Sequence, residues 1–331
     1  EVAPSVLNRG GDVYRRYCAR CHGSRGNGRT TAMRGKRPAT DLTLGVYKFS
    51  SVPSGGLPTD DDLKRTLQAG LGRGLVMPAF STIQSSDLDA VVHLAAHISI
   101  PESMERADDY FKNNEWGTFH LMQVLARTQN WPLMVYASSP EVYGNPLYTP
   151  MDIHHPMLPR SIYAATKLAA EKHCKAMHEW YKYPVIVIRN FNTFGENQDI
   201  SGFAGVVSTF ILKALRDETI KIHNTGDQTR DFQYVKDAIR AYSLVITKDK
   251  RLAGEVFNIG TKKQTSIKDL ANLIKTLADS SSDIQFEKGR CADLMSLEAD
   301  YTLINAKTDW KPKYILEEGL KRTIDWYKKL I

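Results

Sequence analysis

A stretch of eleven residues, Ser86 to Ala96, constrains this chain most, because its pattern fits two folds that exclude each other. Its apolar residues recur at helical spacing and would form one face of a helix capped by Ser86: Leu88, Val91, Val92 and Ala95. From Ala90 to Ala96 the stretch is also a short apolar run, which suits a strand buried on both faces of a parallel sheet. Periodicity over so few residues leaves helix and strand open.

The charge of the chain changes at the same place. The 331 residues are enough for about two domains, and the formal net charge is +7. Residues 1–84 hold 13 basic and 6 acidic residues, whereas residues 85–331 hold 31 of each. The basic first part either steers an acidic redox partner or is an ordinary solvated surface. Its basic residues are not interleaved with aromatics and no apolar run reaches ~20 residues, so we expect neither nucleic-acid binding nor a membrane span.

Cys18, Cys21 and His22 form the motif C-x-x-C-H, which predicts covalent attachment of a haem. The spacing lets both thiols add to the vinyl groups of one haem while the adjacent imidazole reaches the iron. A bare C-x-x-C could also be a redox dithiol, which would follow a strand, or half of a zinc site, which would need a second ligand pair. Met77 lies between a glycine-rich segment and a proline, and we predict it as the second axial ligand.

These motifs resemble the class I cytochrome c family over about residues 10–92. Gly11 begins a helix ahead of the haem motif, and Thr59 caps a later helix with acidic residues in its first turn. The resemblance implies a small all-α domain, residues 1–88, that carries one c-type haem with His22 and Met77 as iron ligands. It also implies transfer of single electrons and a periplasmic or other extracytoplasmic location for this part.

After the stretch, apolar runs alternate with amphipathic segments, which predicts a parallel sheet with crossover helices. Two strands and two helices are predicted: residues 133–137 and 185–188, and residues 110–128 and 161–181. Tyr163 and Lys167 lie four residues apart on one of these helices. We expect the ammonium to lower the pKa of the phenol, so that Tyr163 acts as a base near neutral pH. Ser139 follows a predicted strand, at the edge where open α/β sheets bind ligands.

Over about residues 89–328 the chain resembles the extended short-chain dehydrogenases/reductases, in particular nucleotide-sugar 4-epimerases and dehydratases. Further matching segments carry this resemblance: residues 93–96, 113–118, 189–192, 226–232, 290–293 and 310–312. The resemblance implies that residues 89–331 form a Rossmann-like α/β domain with a small C-terminal substrate domain. It also implies a cytoplasmic location, a UDP-sugar or another NDP-sugar as ligand, and a homodimer through the helices of this domain.

Residue by residue, the resemblance implies that Ser139, Tyr163 and Lys167 are catalytic. It implies six contacts with NAD, from Ala95, Ala96, Asn113, Tyr163, Lys167 and Phe191. It implies three contacts with the sugar nucleotide, from Asn192, Arg230 and Arg290. Glu141 occupies the place of an acid used by dehydratases, whereas Pro140 replaces the aspartate of one dehydratase class. We therefore expect 4-epimerase chemistry first and dehydratase chemistry second.

The first strands of the resembled family and its glycine-rich loop have no counterpart in the sequence from Asp89 onward. That loop ordinarily binds the pyrophosphate of the dinucleotide at a helix N-terminus, so we expect an incomplete NAD site. The strand at Ala90–Ala96 would then be a bare apolar sheet edge. We interpret the chain as a chimera of a cytochrome c and an N-terminally truncated nucleotide-sugar enzyme. The alternatives are an active NAD-dependent epimerase or dehydratase and a non-catalytic sugar-nucleotide binder.

Overall fold

A four-stranded parallel sheet organises the second part of the chain. The computed structural model describes residues 90–128, 131–198, 205–289 and 294–330. The four strands lie in the spatial order β1-β2-β3-β8. Their ranges are Ala90–His93 for β1, Leu133–Ser138 for β2, Val185–Asn190 for β3 and Val256–Ile259 for β8. All three pairings are parallel, which confirms the predicted sheet.

The ambiguous stretch forms a strand where it is described. Ala90 pairs with Leu133 and His93 pairs with Tyr136, so β1 continues the sheet beyond β2. Within the described residues, β2 is the only strand that pairs with β1, which makes β1 the edge of the sheet. Burial on both faces, as expected from the apolar run, is not observed, because Val92 is 38% exposed. The predicted absence of strands beyond β1 concerns residues before Ala90, which lie outside the described residues.

One face of the sheet is covered by two helical segments. The first is the predicted helix at 110–128, which consists of a short helix α2, Ala107–Tyr110, a π-helical segment, Phe111–Trp116, and a helix α3, Gly117–Ala126. It is preceded by α1, Ile100–Glu105. The second is the helix α4, Ile162–Tyr181, which matches the prediction closely. Ser161 starts it as an N-cap, because its side chain accepts a hydrogen bond from the Ala164 amide at 3.1 Å.

The opposite face packs against a helix, α6, Val235–Thr247, and a later helix, α8, Thr302–Thr308. Their shared cluster contains Trp310, which is fully buried and donates its indole N–H to the Asp237 carbonyl at 3.0 Å. This cluster fixes the last part of the chain against the central strands. The core therefore has a helix, sheet and helix layering, as the alternating pattern predicts.

The remaining elements build the C-terminal part and its small sheets. The helices are α5, Val206–Leu215, α7, Ile267–Ala278, and α9, Leu316–Tyr327. The strands are β4, Asn192–Phe194, β5, Ile220–His223, β6, Thr229–Arg230, β7, Phe232–Tyr234, β9, Thr265–Ser266, and β10, Ile284–Glu287. They form three two-stranded pairs: β4 with β7, β5 with β10, and β6 with β9. None of the described helices is both long and apolar enough to span a bilayer. The predicted all-α haem domain lies outside the described residues.

Candidate active site

The candidate site lies where the central strands end. Ser138, the last residue of β2, pairs with Arg189, and Asn190, the last residue of β3, pairs with Ile259. Ser139 and Asn190 therefore lie beside each other at the carboxyl edge of the sheet. A 3₁₀ turn, Pro140–Tyr143, follows Ser139, whose side chain accepts a hydrogen bond from the Glu141 amide at 3.3 Å. This capping bond fixes the hydroxyl at the sheet edge.

The structure brings the three predicted catalytic residues together. The phenol of Tyr163 lies close enough to the side chain of Ser139 for that side chain to lower the phenol's pKa. Tyr163 lies in the first turn of α4, and Lys167 lies one turn later. The ammonium of Lys167 lies 4.5 Å from the centroid of the Tyr136 ring. The side chains of all three residues are buried.

Burial shifts the pKa values of Tyr163 and Lys167 more than the predicted interaction between these two residues does. Burial raises the pKa of Tyr163 to about 12, although the Ser139 side chain opposes the rise and the Glu141 carboxylate adds to it. Burial also lowers the pKa of Lys167 to about 7. The expected lowering of the Tyr163 pKa is thus not observed in the protein alone. With a pKa raised to about 12 by burial, the phenol stays protonated near neutral pH, where Lys167 is itself partly neutral.

The surroundings of Lys167 indicate whether a dinucleotide would fit this site. Within the described residues its Nζ has no hydrogen-bond partner, and it lies 4.5 Å from the centroid of the Tyr136 ring. A buried ammonium has three donors to satisfy, and a ribose with two hydroxyl groups supplies matching acceptors. The residues that would contact the nicotinamide half of NAD therefore fit that group.

A buried ion pair behind the site was not found by the sequence reasoning. Glu171, one turn after Lys167 on α4, accepts two hydrogen bonds from Arg189 of β3, one of them from Nε at 3.1 Å. Glu171 also accepts a bond from Ser138 at 2.9 Å. Both charged side chains are 3% exposed. The pair joins α4 to both central strands directly behind Ser139, Tyr163 and Lys167.

The pair continues into a chain of hydrogen bonds. Arg189 donates to the Tyr143 hydroxyl at 2.7 Å, and this hydroxyl donates to Asn258 of β8 at 2.7 Å. Asn258 in turn donates to the Met151 carbonyl at 2.8 Å. The network holds three parallel strands, the 3₁₀ turn and α4 in one arrangement. A charged residue inside an apolar strand, such as Arg189 after Ile188, is the one sequence signal that points to such a pair.

A second network connects the end of β1 with α4. The buried amide of Asn114 donates to the His97 carbonyl at 2.9 Å and accepts from the His97 amide at 2.8 Å. It also donates to Thr166, the neighbour of Lys167, at 3.4 Å. Asn113, which we predicted as a contact of NAD, is exposed and donates to the side chain of Asn114 at 3.0 Å. Asn114 therefore holds the loop after β1 against the catalytic helix.

The other predicted contacts of NAD lie at the same edge of the sheet. Ala95 and Ala96 are half-buried in the segment after β1. Phe191 is buried in a cluster with Val142 and Met151, and its amide donates to the Ile259 carbonyl at 3.1 Å. Phe191 thus contributes to the packing beneath the site, and its backbone is fixed to β8.

Two of the three predicted sugar-nucleotide residues are described. Asn192 begins β4, and its side-chain oxygen is buried without a hydrogen-bond partner in the described part of the chain. Arg230 donates to the Leu294 carbonyl at 2.8 Å, so it joins β6 to the segment after residue 293. The buried carboxylate of the next residue, Asp231, accepts hydrogen bonds from three backbone amides: those of Thr261, Lys262 and Ala299. Arg290 lies outside the described residues.

The predicted haem ligands are also not covered by the structure. Cys18, Cys21, His22 and Met77 lie outside the described residues. In the ranges that are described, no three histidine, cysteine or acidic side chains gather in a group that could hold a metal ion.

Comparison with known families assigns the second part of the chain. A family model described as GDP-mannose 4,6 dehydratase matches residues 79–323. The chain belongs to this family. The family match and the solved structures support the Rossmann-like α/β fold of this part. The resemblance inferred from the sequence is confirmed.

Individual relatives of this family agree. A dTDP-D-glucose 4,6-dehydratase from Bos taurus is 32% identical over 252 residues, which are 74% of this chain and 69% of the relative. The structure of a UDP-glucose 4-epimerase with UDP-glucose from Thermotoga maritima superposes with a TM-score of 0.70 at 28% identity, covering 79% of this chain and 87% of that one. The DesIV dTDP-glucose 4,6-dehydratase from Streptomyces venezuelae, with NAD and TYD bound, gives a TM-score of 0.68 at 25% identity and covers 73% of each chain.

A second family model matches the first part of the chain. The model described as cytochrome C oxidase, cbb3-type, subunit III matches residues 5–94, which confirms the cytochrome c module. The two models overlap at residues 79–94. Residues 86–94, which belong to the stretch that fits both a helix and a strand, therefore match both family models. The described strand β1 lies inside the overlap.

Proposed function

We propose that residues 90–330 bind a nucleoside diphosphate sugar at the carboxyl edge of the sheet but do not turn it over. We further propose that residues 1–88 carry a c-type haem and transfer single electrons. The assembled Ser139, Tyr163 and Lys167 and the unpartnered buried oxygen of Asn192 support the binding site. Arg230 and Arg290 would hold the diphosphate by charge-assisted hydrogen bonds.

The chemistry that these residues are arranged for is that of a 4-epimerase. Bound NAD would supply the hydride acceptor. In its phenolate form Tyr163 would take the proton from a sugar hydroxyl, Ser139 would hydrogen-bond the same oxygen, and Lys167 would hold the ribose. Glu141 lies close enough to raise the pKa of Tyr163, which keeps dehydratase chemistry as the second candidate.

The proposal that turnover is lost rests on the position of β1 at the edge of the described sheet. In a doubly wound sheet the strands beyond this position bring the glycine-rich loop to the pyrophosphate and the acidic residue to the adenosine ribose. The sheet of the described residues begins at Ala90, and its first strand is half exposed. Without these neighbours, the contacts to the adenosine half of NAD would be missing, and its affinity would fall steeply.

For the first part, we propose that Cys18 and Cys21 attach the haem and that His22 and Met77 are the iron ligands. Ligation by a thioether and an imidazole would favour the ferrous state, which suits an electron carrier. The excess of basic residues in this part fits an acidic redox partner. Since covalent haem attachment is expected outside the cytoplasm, we place this part in an extracytoplasmic compartment.

We also propose a homodimer through α3 and α4. A groove of about 460 Å³ lies between these helices and is lined by Phe119, His173 and Met177. Trp180, at its rim, is 82% exposed. A second copy of the same helix pair would cover this apolar surface, since two-fold contacts bury the same patch on both partners.

Titration calorimetry and an activity assay test the sugar-nucleotide site. UDP-glucose should bind in the absence of NAD, and UDP-glucose with NAD should give no UDP-galactose. Turnover that disappears in Tyr163→Phe would replace the proposal by an active epimerase, which the Ser139–Tyr163 contact favours. Absence of UDP-glucose binding would contradict the proposed site altogether.

An absorption spectrum tests the haem. Low-spin c-type bands are expected for the purified chain, and the haem should stay attached after denaturation, because thioether attachment does not depend on the fold. A colourless protein would contradict this part of the proposal.

A further inference from the structure

Asn190, at the carboxyl end of β3, has a side-chain amide whose orientation is fixed by the protein. Its Oδ1 accepts a hydrogen bond from Gln233 Nε2 at 2.9 Å. The Thr193 hydroxyl, which shares its one proton with the Phe191 carbonyl, lies 3.1 Å from the same oxygen. With the Gln233 donor on the oxygen side, the amide nitrogen of Asn190 must point away from it. Within the described residues, Nδ2 of Asn190 has no hydrogen-bond partner.

Gln233 determines this orientation and is not free to reverse. Gln233 is fully buried in β7, and its Nε2 also donates to the Ile259 carbonyl at 3.1 Å. A rotated amide would place its oxygen against that carbonyl and against Asn190 Oδ1, and two acceptors facing each other repel. The observed orientation leaves Gln233 Oε1 buried without a partner in the described part of the chain, which is unfavourable. The Ile259 carbonyl therefore fixes the orientation of the Gln233 amide, which in turn fixes the orientation of the Asn190 amide.

The unpaired donor lies next to the catalytic residues. Because Ser138 pairs with Arg189, the following residues, Ser139 and Asn190, are neighbours on adjacent strands, which lie about 5 Å apart. Ser139 contacts Tyr163, so the Asn190 amide borders the place where the sugar would react. Asn190 is half-buried, and its unpartnered nitrogen is not fully enclosed by the protein.

We infer that Asn190 is a specificity residue that donates a hydrogen bond from Nδ2 to an oxygen atom of the bound sugar, with Gln233 as the residue that positions it. This inference rests on the proposed sugar-nucleotide site and adds a residue to it. A donor fixed in this way selects a hydroxyl or carbonyl oxygen at the facing carbon of the sugar. It disfavours a substituent that presents only a donor or an apolar group.

Calorimetric titration of the full chain with UDP-glucose and, separately, with UDP tests the inference. Asn190→Ala removes the donor, while Gln233 Nε2 keeps its bond to the Ile259 carbonyl. Asn190→Asp keeps the acceptor for Gln233 and Thr193 but removes the donor. Both variants should lower the affinity for UDP-glucose about tenfold, the equivalent of one good hydrogen bond. The affinity of Asn190→Ala for UDP, which has no sugar, should remain that of the unaltered chain.

Asn272→Asp is the matched control, since it makes the same change of charge at an exposed position on α7. It should bind both ligands normally. Gln233→Glu removes the donor that orients Asn190 and should reproduce the selective loss for UDP-glucose. Equal affinities of Asn190→Ala and the unaltered chain for UDP-glucose would overturn the inference alone. An equal loss for UDP and UDP-glucose would also overturn it. If the unaltered chain bound neither ligand, the proposed function would fail and the inference with it.

Discussion

Replacing Glu171 by glutamine should destabilise the second part of the chain far more than a surface charge change does. Glu171 and Arg189 are both buried, and Glu171 also accepts the hydroxyl bond of Ser138. Glutamine keeps the shape of the side chain but leaves the Arg189 guanidinium without a counter-charge. Removing one partner of a buried pair costs about 3–5 kcal/mol, because the remaining charge stays desolvated. We therefore expect Glu171→Gln to lose about a third to a half of the stability of a domain with an unfolding free energy of about 10 kcal/mol.

Urea unfolding followed by tryptophan fluorescence measures this effect selectively. All five tryptophans lie in residues 116–326, so the signal reports on the second part of the chain. Glu317→Gln is the control, because Glu317 pairs with Lys321 on α9 with both side chains about half exposed, and its loss should not be measurable. A double variant, Glu171→Leu with Arg189→Met, should recover much of the stability, since it leaves no unpaired charge. A loss below about 1 kcal/mol in Glu171→Gln would refute the reasoning.

Two further predictions concern the same region. Lys167 has a pKa lowered to about 7, below its ordinary value of 10.5, so between these values the unfolded chain holds a proton that the folded chain does not. The free energy of unfolding should therefore rise by about 2.5 kcal/mol between pH 7 and pH 9, relative to that of Lys167→Met. Urea unfolding at each pH measures this difference. Parallel curves of unfolding free energy against pH for the two proteins would contradict the prediction. Gly144 has a φ of +70°, and a Cβ there would lie 2.0 Å from the Leu158 carbonyl oxygen. Gly144→Ala should lower the thermal midpoint by several degrees, whereas Gly117→Ala, at the first residue of α3 with φ −59°, should not; equal midpoints would show that the turn can relax.

Elements with a strong local pattern were predictable from the sequence. The strand predicted at 133–137 is β2, Leu133–Ser138, and the helix predicted at 161–181 is α4, Ile162–Tyr181. Both have uninterrupted periodicity, and α4 also has a capping serine. The π-helical segment Phe111–Trp116 was not predictable, because nothing in its residues distinguishes it from ordinary helix. The position of Ser139, Tyr163 and Lys167 followed from strand order and helix spacing.

Properties that depend on contacts between distant segments could not be predicted from the sequence. The choice between helix and strand at Ala90–His93 depends on pairing with β2, which no local pattern reveals. The buried pair of Glu171 and Arg189 resembles two ordinary charges in the sequence. The pKa of Tyr163 depends on how deeply the phenol is buried, and the spacing from Lys167 carries no information about that depth.

The shared stretch limits how the chain can be divided. Residues 79–94 match two families, yet Ala90–His93 already form hydrogen bonds with β2 and pack on the sheet. Any cytochrome module in the intact chain has to close without these four residues. Any division of the chain within residues 79–94, by a protease or by truncation of the gene, removes residues that one of the two family models includes. The cytochrome part and the sheet therefore cannot both be separated with their full family match.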